Sequence, residues 1–137
     1  MLSTTVALCA YLALGADPAK AVEPELALYP IEENVIQRTN EERVRNGLEP
    51  LKMDQKLVRT ARRHTIWMVN NRSLSHGNDA VAENIAMGQS NSTEAVRTWM
   101  NSSGHRANIL NRRHRRIGVA AFRTPEGTIY WCQQFGD

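Results

Sequence analysis

The segment from Arg116 to Gly136 constrains the fold of this chain more than any other. Its sequence, RIGVAAFRTPEGTIYWCQQFG, contains two β-strand patterns joined by a Pro-Glu-Gly turn, which is typical of a β-hairpin. Apolar residues occupy both alternating positions of each strand, for example Val119 beside Ala120 and Tyr130 beside Trp131. Because neighbouring side chains of a strand point to opposite faces, this hairpin must be covered on both faces.

Helical patterns before the hairpin supply that cover. The apolar spacing predicts a first helix over Glu32–Asn46, with Gly47 as its stop signal. A second helix is expected after an N-cap at Asp54, a third over Thr93–Asn101, and a short fourth that Ser103 caps. We therefore predict an α+β fold: a three-layer α-β-α sandwich in which a small antiparallel sheet has helices on both faces.

The N-terminus carries a targeting signal. A short apolar run, Val6–Leu14, is followed by small residues, which is typical of a secretory signal peptide, and it is too short to cross a bilayer. No Lys or Arg precedes the run, so we expect a truncated n-region or a misplaced start codon. We predict a signal peptide over 1–21, an extended lead-in over 22–30, one folded domain over 31–137 and no transmembrane segment. The protein is then secreted, to the exterior or the periplasm.

The cysteine count limits covalent cross-links. If Cys9 leaves with the signal peptide, Cys132 is the remaining thiol and no intramolecular disulfide can form. Cys132 lies in an apolar strand pattern, so we expect it to be buried and unreactive.

The cluster RRHRR, residues 112–116, is the one dense group of charges in a chain of net charge +3. Two interpretations stay open: a solvated loop, or an anionic partner such as a lipid head group or a cell-wall polymer. The residues that would bind an anion are Arg112, Arg113, Arg115 and Arg116. We expect no nucleic-acid partner, because no aromatic residues are interleaved with the cluster and no basic helix accompanies it.

Three scattered residues have settings that suit chemistry. Glu83 interrupts the apolar segment VAENIA, where a buried carboxylate must be paired, hydrogen-bonded or metal-bound. His76 follows a strand-like piece, and His105 lies at a helix start, which disfavours imidazolium and leaves a neutral nitrogen available. These three could form a first shell for a zinc-like ion. By contrast, His64 is predicted to pack on a helix face and His114 to be solvated.

Several motifs in order resemble the CAP superfamily, the SCP-like domain of cysteine-rich secretory proteins, antigen 5 and pathogenesis-related proteins, in its bacterial branch. The resemblance covers about residues 31–137. Its motifs are NxxR (Asn40 to Arg43), NGLEPLKMDQKLVRTARRHTIWM, LSH, AENIAMG, VRTWMNSSGHRANIL, IGVAAF and YWCQQFG. The resemblance implies the α-β-α sandwich and secretion.

The resemblance also implies a shared cavity. In this family two histidines and two acids line a central cavity that holds a divalent metal in some members. The matching residues are His76, Glu83 and His105, which are therefore the candidate ligands of a metal such as zinc. Ser102 stands where the second acid is expected, so the cavity has one formal negative charge and any metal should bind more weakly.

The function that we favour is a secreted binding or interaction module, which we expect to be monomeric. Its ligand is not identified by the sequence, and a lipid and a cell-wall polymer are the candidates; an enzymatic role is favoured less but stays open. The alternative is a metal-dependent extracellular hydrolase, in which Glu83 or His76 would move protons. A Ser102 or Ser103 nucleophile with His105 as base is favoured least, because helix capping already explains both serines.

Overall fold

The computed structural model describes residues 26–137; the predicted signal peptide over 1–21 lies outside the described residues. Four helices and four strands make up this described part. In chain order they are α1 (Pro30–Arg45), β1 (Lys52–Met53), α2 (Gln55–Asn71), β2 (Ala82–Met87), α3 (Ser92–Met100), α4 (Ser103–Ile109), β3 (Arg116–Arg123) and β4 (Ile129–Gly136).

The strands form one sheet in the order β1-β3-β4-β2. The predicted hairpin is present as the antiparallel pair β3–β4, and β2 extends it antiparallel to β4. The sheet is nevertheless mixed rather than purely antiparallel, because β1 pairs with β3 in parallel. With two residues, β1 is too short to produce an alternating pattern that sequence reasoning can detect.

The predicted α-β-α sandwich is confirmed. On one face α2 packs on the sheet through Ala61 and Met68, which contact Ala120 and Cys132. On the other face α1, α3 and α4 cover the second set of strand side chains. The larger members of this second core are Val35, Trp99, Ile109, Val119, Trp131 and Phe135. Both alternations of the hairpin are therefore buried, as its composition requires.

Helix ends follow the predicted signals with one exception. The Asp54 side chain accepts a hydrogen bond from the amide of Leu57, so it caps α2, and Gly47 follows α1 with φ of +72°. For α4 the predicted cap is wrong by one residue. The N-cap position is Ser102, whose side chain makes no capping hydrogen bond, and Ser103 is already helical.

A buried arginine fixes α4 relative to α1. The Arg43 guanidinium, which is 1% exposed, donates to the carbonyls of Glu49 at 2.9 Å, Ile109 at 2.8 Å, Asn111 at 2.9 Å and His114 at 3.3 Å. The pKa of Arg43 is lowered, mainly because the guanidinium is buried. Because these carbonyls belong to separate segments, one side chain joins the loop after α1, the end of α4 and the chain entering β3.

Gly118 lets α2 approach the sheet. A Cβ atom at this position of β3 would lie 2.2 Å from the backbone carbon of Leu57 and 2.4 Å from the backbone nitrogen of Val58. Both atoms belong to the helix backbone, which cannot move as a flexible side chain does. The distance between α2 and the sheet therefore depends on the missing side chain.

We expect Gly118→Ala to lower the free energy of unfolding by about 3 kcal/mol, because the helix must shift to admit the methyl group. Urea unfolding measures the effect. The matched control is Gly104→Ala in α4, where a Cβ would meet nothing within 4 Å. We expect this control to be neutral or more stable by up to about 1 kcal/mol. A Gly118→Ala loss below about 0.5 kcal/mol, the range of ordinary surface changes, would contradict the close approach.

Candidate functional site

Glu83 lies at the centre of a polar cluster on the edge strand β2. Strand pairing places it opposite Gln134 of β4, on the α2 face of the sheet. Its side chain is only 7% exposed. An acid so placed needs partners for both oxygen atoms, as its sequence setting predicts.

The protein supplies those partners. Glu83 Oε1 accepts hydrogen bonds from Nδ1 of His76 and from the amide of Gly77, both at 3.0 Å. Its Oε2 accepts from Nε2 of Gln134 at 2.9 Å and from the thiol of Cys132 at 3.5 Å. Burial by itself would raise the pKa of Glu83, but the hydrogen bonds from Gln134, Gly77 and His76 outweigh it and lower the pKa. Glu83 is therefore an ionised anchor for the loop that carries His76.

His76 presents the other side of its ring to solvent. Its side chain is 61% exposed. Because an ionised Glu83 can only accept, Nδ1 of His76 carries the proton of this hydrogen bond, and Nε2 lies on the side of the ring away from Glu83. The carboxylate thereby fixes the orientation and the tautomer of the exposed histidine.

His64 is the site residue that sequence reasoning missed. It is buried, as predicted for a packing histidine, and its Nε2 donates to the carbonyl of Ser75 at 2.8 Å. The same nitrogen lies 3.8 Å from Oε1 of Glu83. A Cβ on Gly77 would come within 3.2 Å of the ring, so the loop lies directly on His64. The sequence predicts that His64 packs against something, and only the fold shows that it packs against the loop that carries His76.

A cavity of about 530 Å³ opens beside this cluster. It lies between the middle of α2 and the loop that precedes β2. The residues that line it are Arg63, His64, Trp67, Ser75, His76, Gly77, Asn78 and Asp79. Of these, the sequence singled out His76 alone as a site residue. The spacing of His64 and Trp67, three residues apart on one helix, was the available signal.

His105 approaches the edge strand from the opposite face of the sheet. It lies in the first turn of α4, and its carbonyl accepts from the side chain of Asn84 at 3.1 Å. Its Nδ1 is buried and has no hydrogen-bond partner within residues 26–137. Burial first, and then the nearby charge of His76, lower the pKa of His105. His105 is therefore neutral at pH 7, as its position at a helix start predicts.

The predicted metal trio lacks a preformed geometry. The four hydrogen bonds to Glu83 use the lone pairs that a metal would need. In the described part of the chain, no three His, Cys, Asp or Glu side chains are placed to share an ion. His76 and His105 reach the edge strand from different layers. Coordination by His76, Glu83 and His105 stays a prediction, but these residues as arranged do not fit a metal.

The serine hypothesis also lacks its geometry. Ser102 makes backbone hydrogen bonds. Its amide donates to the carbonyl of Trp99, and its carbonyl accepts from the amide of Arg106. Within the described residues, no hydrogen bond connects the hydroxyl of Ser102 or Ser103 to the ring of His105. A serine nucleophile activated by this histidine is therefore not assembled.

Two arginines of the basic cluster make hydrogen bonds within the protein. Arg116 donates to Asp54 Oδ2 at 2.9 Å and to the backbone carbonyl of Asp137, while Arg115 bonds the carbonyl of His114. The prediction that His114 is solvated is wrong. Its buried ring stacks on Phe135 with centroids 5.3 Å apart, because it fills the space at the end of β4. Anion binding by Arg112, Arg113, Arg115 and Arg116 stays a prediction.

Comparison with known proteins identifies the family. Residues 36–135 match the cysteine-rich secretory protein family, CAP. The chain belongs to the CAP family. Among curated proteins, this CAP domain is 36% identical over 121 residues to the uncharacterized protein YkwD of Bacillus subtilis (strain 168). The alignment covers 76% of this chain and 46% of that relative, so the chain spans less than half of its length.

Solved structures agree with the CAP fold. An extracellular protein containing a SCP domain from Bacillus anthracis str. Ames superposes with a TM-score of 0.65 at 28% identity, over 81% of this chain and 44% of that one. An outer surface protein from Borrelia burgdorferi has a TM-score of 0.71 at 21% identity, over 77% of this chain and 90% of that one. In the region from residue 26 onward, none of the helices has the length and apolar character needed to cross a membrane.

We expect Glu83→Gln to lower the free energy of unfolding by about 1.5–3 kcal/mol at neutral pH, because it removes the charge from these hydrogen bonds. The folded-state pKa of Glu83 is lowered, so the contribution of wild-type Glu83 is complete above the ordinary glutamate pKa. It is lost as the pH falls through the folded-state pKa. Urea unfolding at neutral and acidic pH should show the two proteins converging in acid.

The matched control is Glu49→Gln, at an exposed glutamate of the loop after α1. We expect little change at any pH, because surface substitutions of this kind are nearly neutral. An unchanged difference between wild type and Glu83→Gln from neutral to acidic pH would contradict the assigned role of Glu83.

Proposed function

We propose that this chain is a secreted binding module of the cell envelope or the exterior, whose ligand occupies the cavity beside His76. Membership of the CAP family supports a place outside the cytoplasm, since the relative from Bacillus anthracis is an extracellular protein. The volume of about 530 Å³ is in the range of ligand pockets. The ligand class is a component of the envelope, a cell-wall polymer or a lipid.

The observation that carries this proposal is that all the hydrogen-bond acceptor positions of the Glu83 carboxylate are occupied by groups of the protein. A general base needs an accessible oxygen atom and a pKa near the working pH. The oxygens of Glu83 accept from Gly77, His76, Gln134 and Cys132, and its pKa is lowered rather than raised. Glu83 therefore serves as a fixed support, and the groups that face the cavity are suited to contact a ligand.

A hydrolase is the second candidate, and the geometry favours it less. Metal-assisted hydrolysis would require a preformed ligand set, which these residues do not provide. Because the exposed ring of His76 borders the cavity, the test of the proposal also measures turnover.

The proposal is tested by co-sedimentation of the purified protein with cell-wall sacculi and, separately, with phosphatidylglycerol vesicles. We expect retention on one of these fractions without change in the mass of its components. His76→Ala should reduce the retention severalfold, because the exposed ring borders the cavity. Val44→Ala, at an exposed residue of α1, is the control and should be retained like the wild type.

Two outcomes would contradict a binding role. One is that the protein is retained neither on sacculi nor on vesicles. The other is the release of soluble fragments that a chelator such as EDTA abolishes, which would establish a metal-dependent hydrolase.

Secretion is tested in a separate experiment. When the chain is expressed in a bacterium, we expect the protein recovered outside the cytoplasm to have lost its signal peptide by cleavage between residues 15 and 22. Mass spectrometry of its N-terminus gives the cleavage site, which should follow one of the small residues Gly15, Ala16 or Ala21. A protein that stays uncleaved in the cytoplasm even when Lys residues are added before the apolar run, which supplies a basic n-region, would overturn the proposed location.

A further inference from the structure

The three tryptophans of the chain have different environments. Trp99 and Trp131 are fully buried, and each indole N–H donates to a backbone carbonyl, of Ile85 at 3.1 Å and of Gln89 at 3.2 Å. Trp67 is 46% exposed and lines the cavity. Within the described residues its indole N–H has no acceptor, so a donor is left for a ligand.

The ring of Trp67 has one aromatic neighbour that orients it. It stacks on the buried ring of His64, with an angle of 11° between the planes and 5.8 Å between the centroids. His64 is itself fixed by its hydrogen bond to the carbonyl of Ser75. An exposed indole that is already oriented loses little conformational entropy when a flat apolar surface binds to it.

Hydrogen-bond donors and acceptors line the same cavity as this ring. Arg63 Nη2 contacts both carboxylate oxygens of Asp79 at 3.2 Å, and Asn78 lines the same cavity. An exposed ion pair of this type adds little to folding stability. It does place hydrogen-bond donors and acceptors in the lining of the cavity that also contains the indole.

This combination selects one ligand chemistry. A lipid chain would remove water from Arg63 and Asp79 without replacing their hydrogen bonds. An anion would meet the carboxylate of Asp79, and a cation would meet the guanidinium of Arg63. A pyranose ring has an apolar face that can stack on an indole and hydroxyl groups that both donate and accept.

Building on the proposed binding function, we propose that the cavity binds a carbohydrate. A pyranose ring stacks on Trp67, and its hydroxyl groups bond to Arg63, Asp79 and Asn78. The cavity volume of about 530 Å³ has room for a short saccharide segment. The chemical class of the ligand is therefore a neutral glycan, such as the sugar backbone of a cell-wall polymer.

The test is titration of the purified protein with two neutral saccharides, chitotetraose and chitohexaose, followed by calorimetry and by tryptophan fluorescence. We expect saturable binding and a fluorescence change. Trp67→Ala should weaken the binding about tenfold or more, because it removes the stacking surface. Trp67→Phe should bind with intermediate affinity, since it keeps a ring without the N–H group, and should lose the fluorescence change.

Ile66→Ala is the matched control. Ile66 is the neighbour of Trp67 on α2 and is 48% exposed, but it lines a different cavity. We expect the sugar affinity of this variant to equal that of the wild type. Asp79→Asn should weaken sugar binding as well, because it disrupts the ion pair that positions Arg63. Circular dichroism and urea unfolding confirm that each variant is folded.

The outcomes separate this inference from the binding function on which it rests. Sugar binding that Trp67→Ala leaves unchanged would overturn the carbohydrate site. So would retention of the wild type on vesicles or sacculi without any affinity for the two saccharide probes, a result that leaves the binding module itself intact. Absence of retention on sacculi and vesicles together with absence of saccharide binding would remove both.

Discussion

The buried guanidinium of Arg43 is the interaction on which the arrangement of the α1 side of the sheet depends. It binds carbonyl oxygens from the loop after α1, the end of α4 and the chain entering β3. A cation is costly to bury, and these carbonyls replace the water that it loses. The carbonyl of Ile109 lies at the C-terminal end of α4, where the helix dipole favours positive charge. Because α4 also carries His105, this contact determines where one wall of the site can be.

Glu83 has the corresponding role on the other face of the sheet. Its carboxylate connects β2 and β4 to the loop of His76 and Gly77. Here, too, a buried charge is satisfied by several polar groups rather than by a single counter-ion. The edge strand connects the two faces, since Asn84 follows Glu83 in β2 and bonds to the carbonyl of His105. The candidate site therefore surrounds a strand instead of filling a closed central pocket.

The hydrogen bonds of Glu83 change the role that its contact with His76 would suggest. A histidine and an acid that adjoin in space suggest proton transfer, but an ionised acid with all its acceptor positions occupied mainly orients the histidine. The surface that remains for a partner includes His76 and the side chains of α2 that line the cavity, Trp67 among them. The binding function proposed above rests on this surface.

The sequence by itself determined the layers of the fold. The two-sided apolar pattern around Val119 and Trp131 required helices on both faces, and the signals at Asp54 and Gly47 located helix ends to within a residue or two. It also determined that Glu83 needs partners, because a carboxylate in an apolar strand cannot stay unpaired. These features depend on local periodicity and on the cost of burial, which short segments already express.

Only the tertiary structure decided which groups are those partners. Gln134 lies 51 residues from Glu83 and reaches it through strand register, and His64 reaches it because Gly118 and Gly77 allow close backbone approach. Likewise, the ring of His114 could not be assigned to the core from a basic loop, since its cover by Phe135 exists only after β4 has paired. Contacts between distant segments depend on register and on the distance between layers, and a linear pattern of residue types does not contain either quantity.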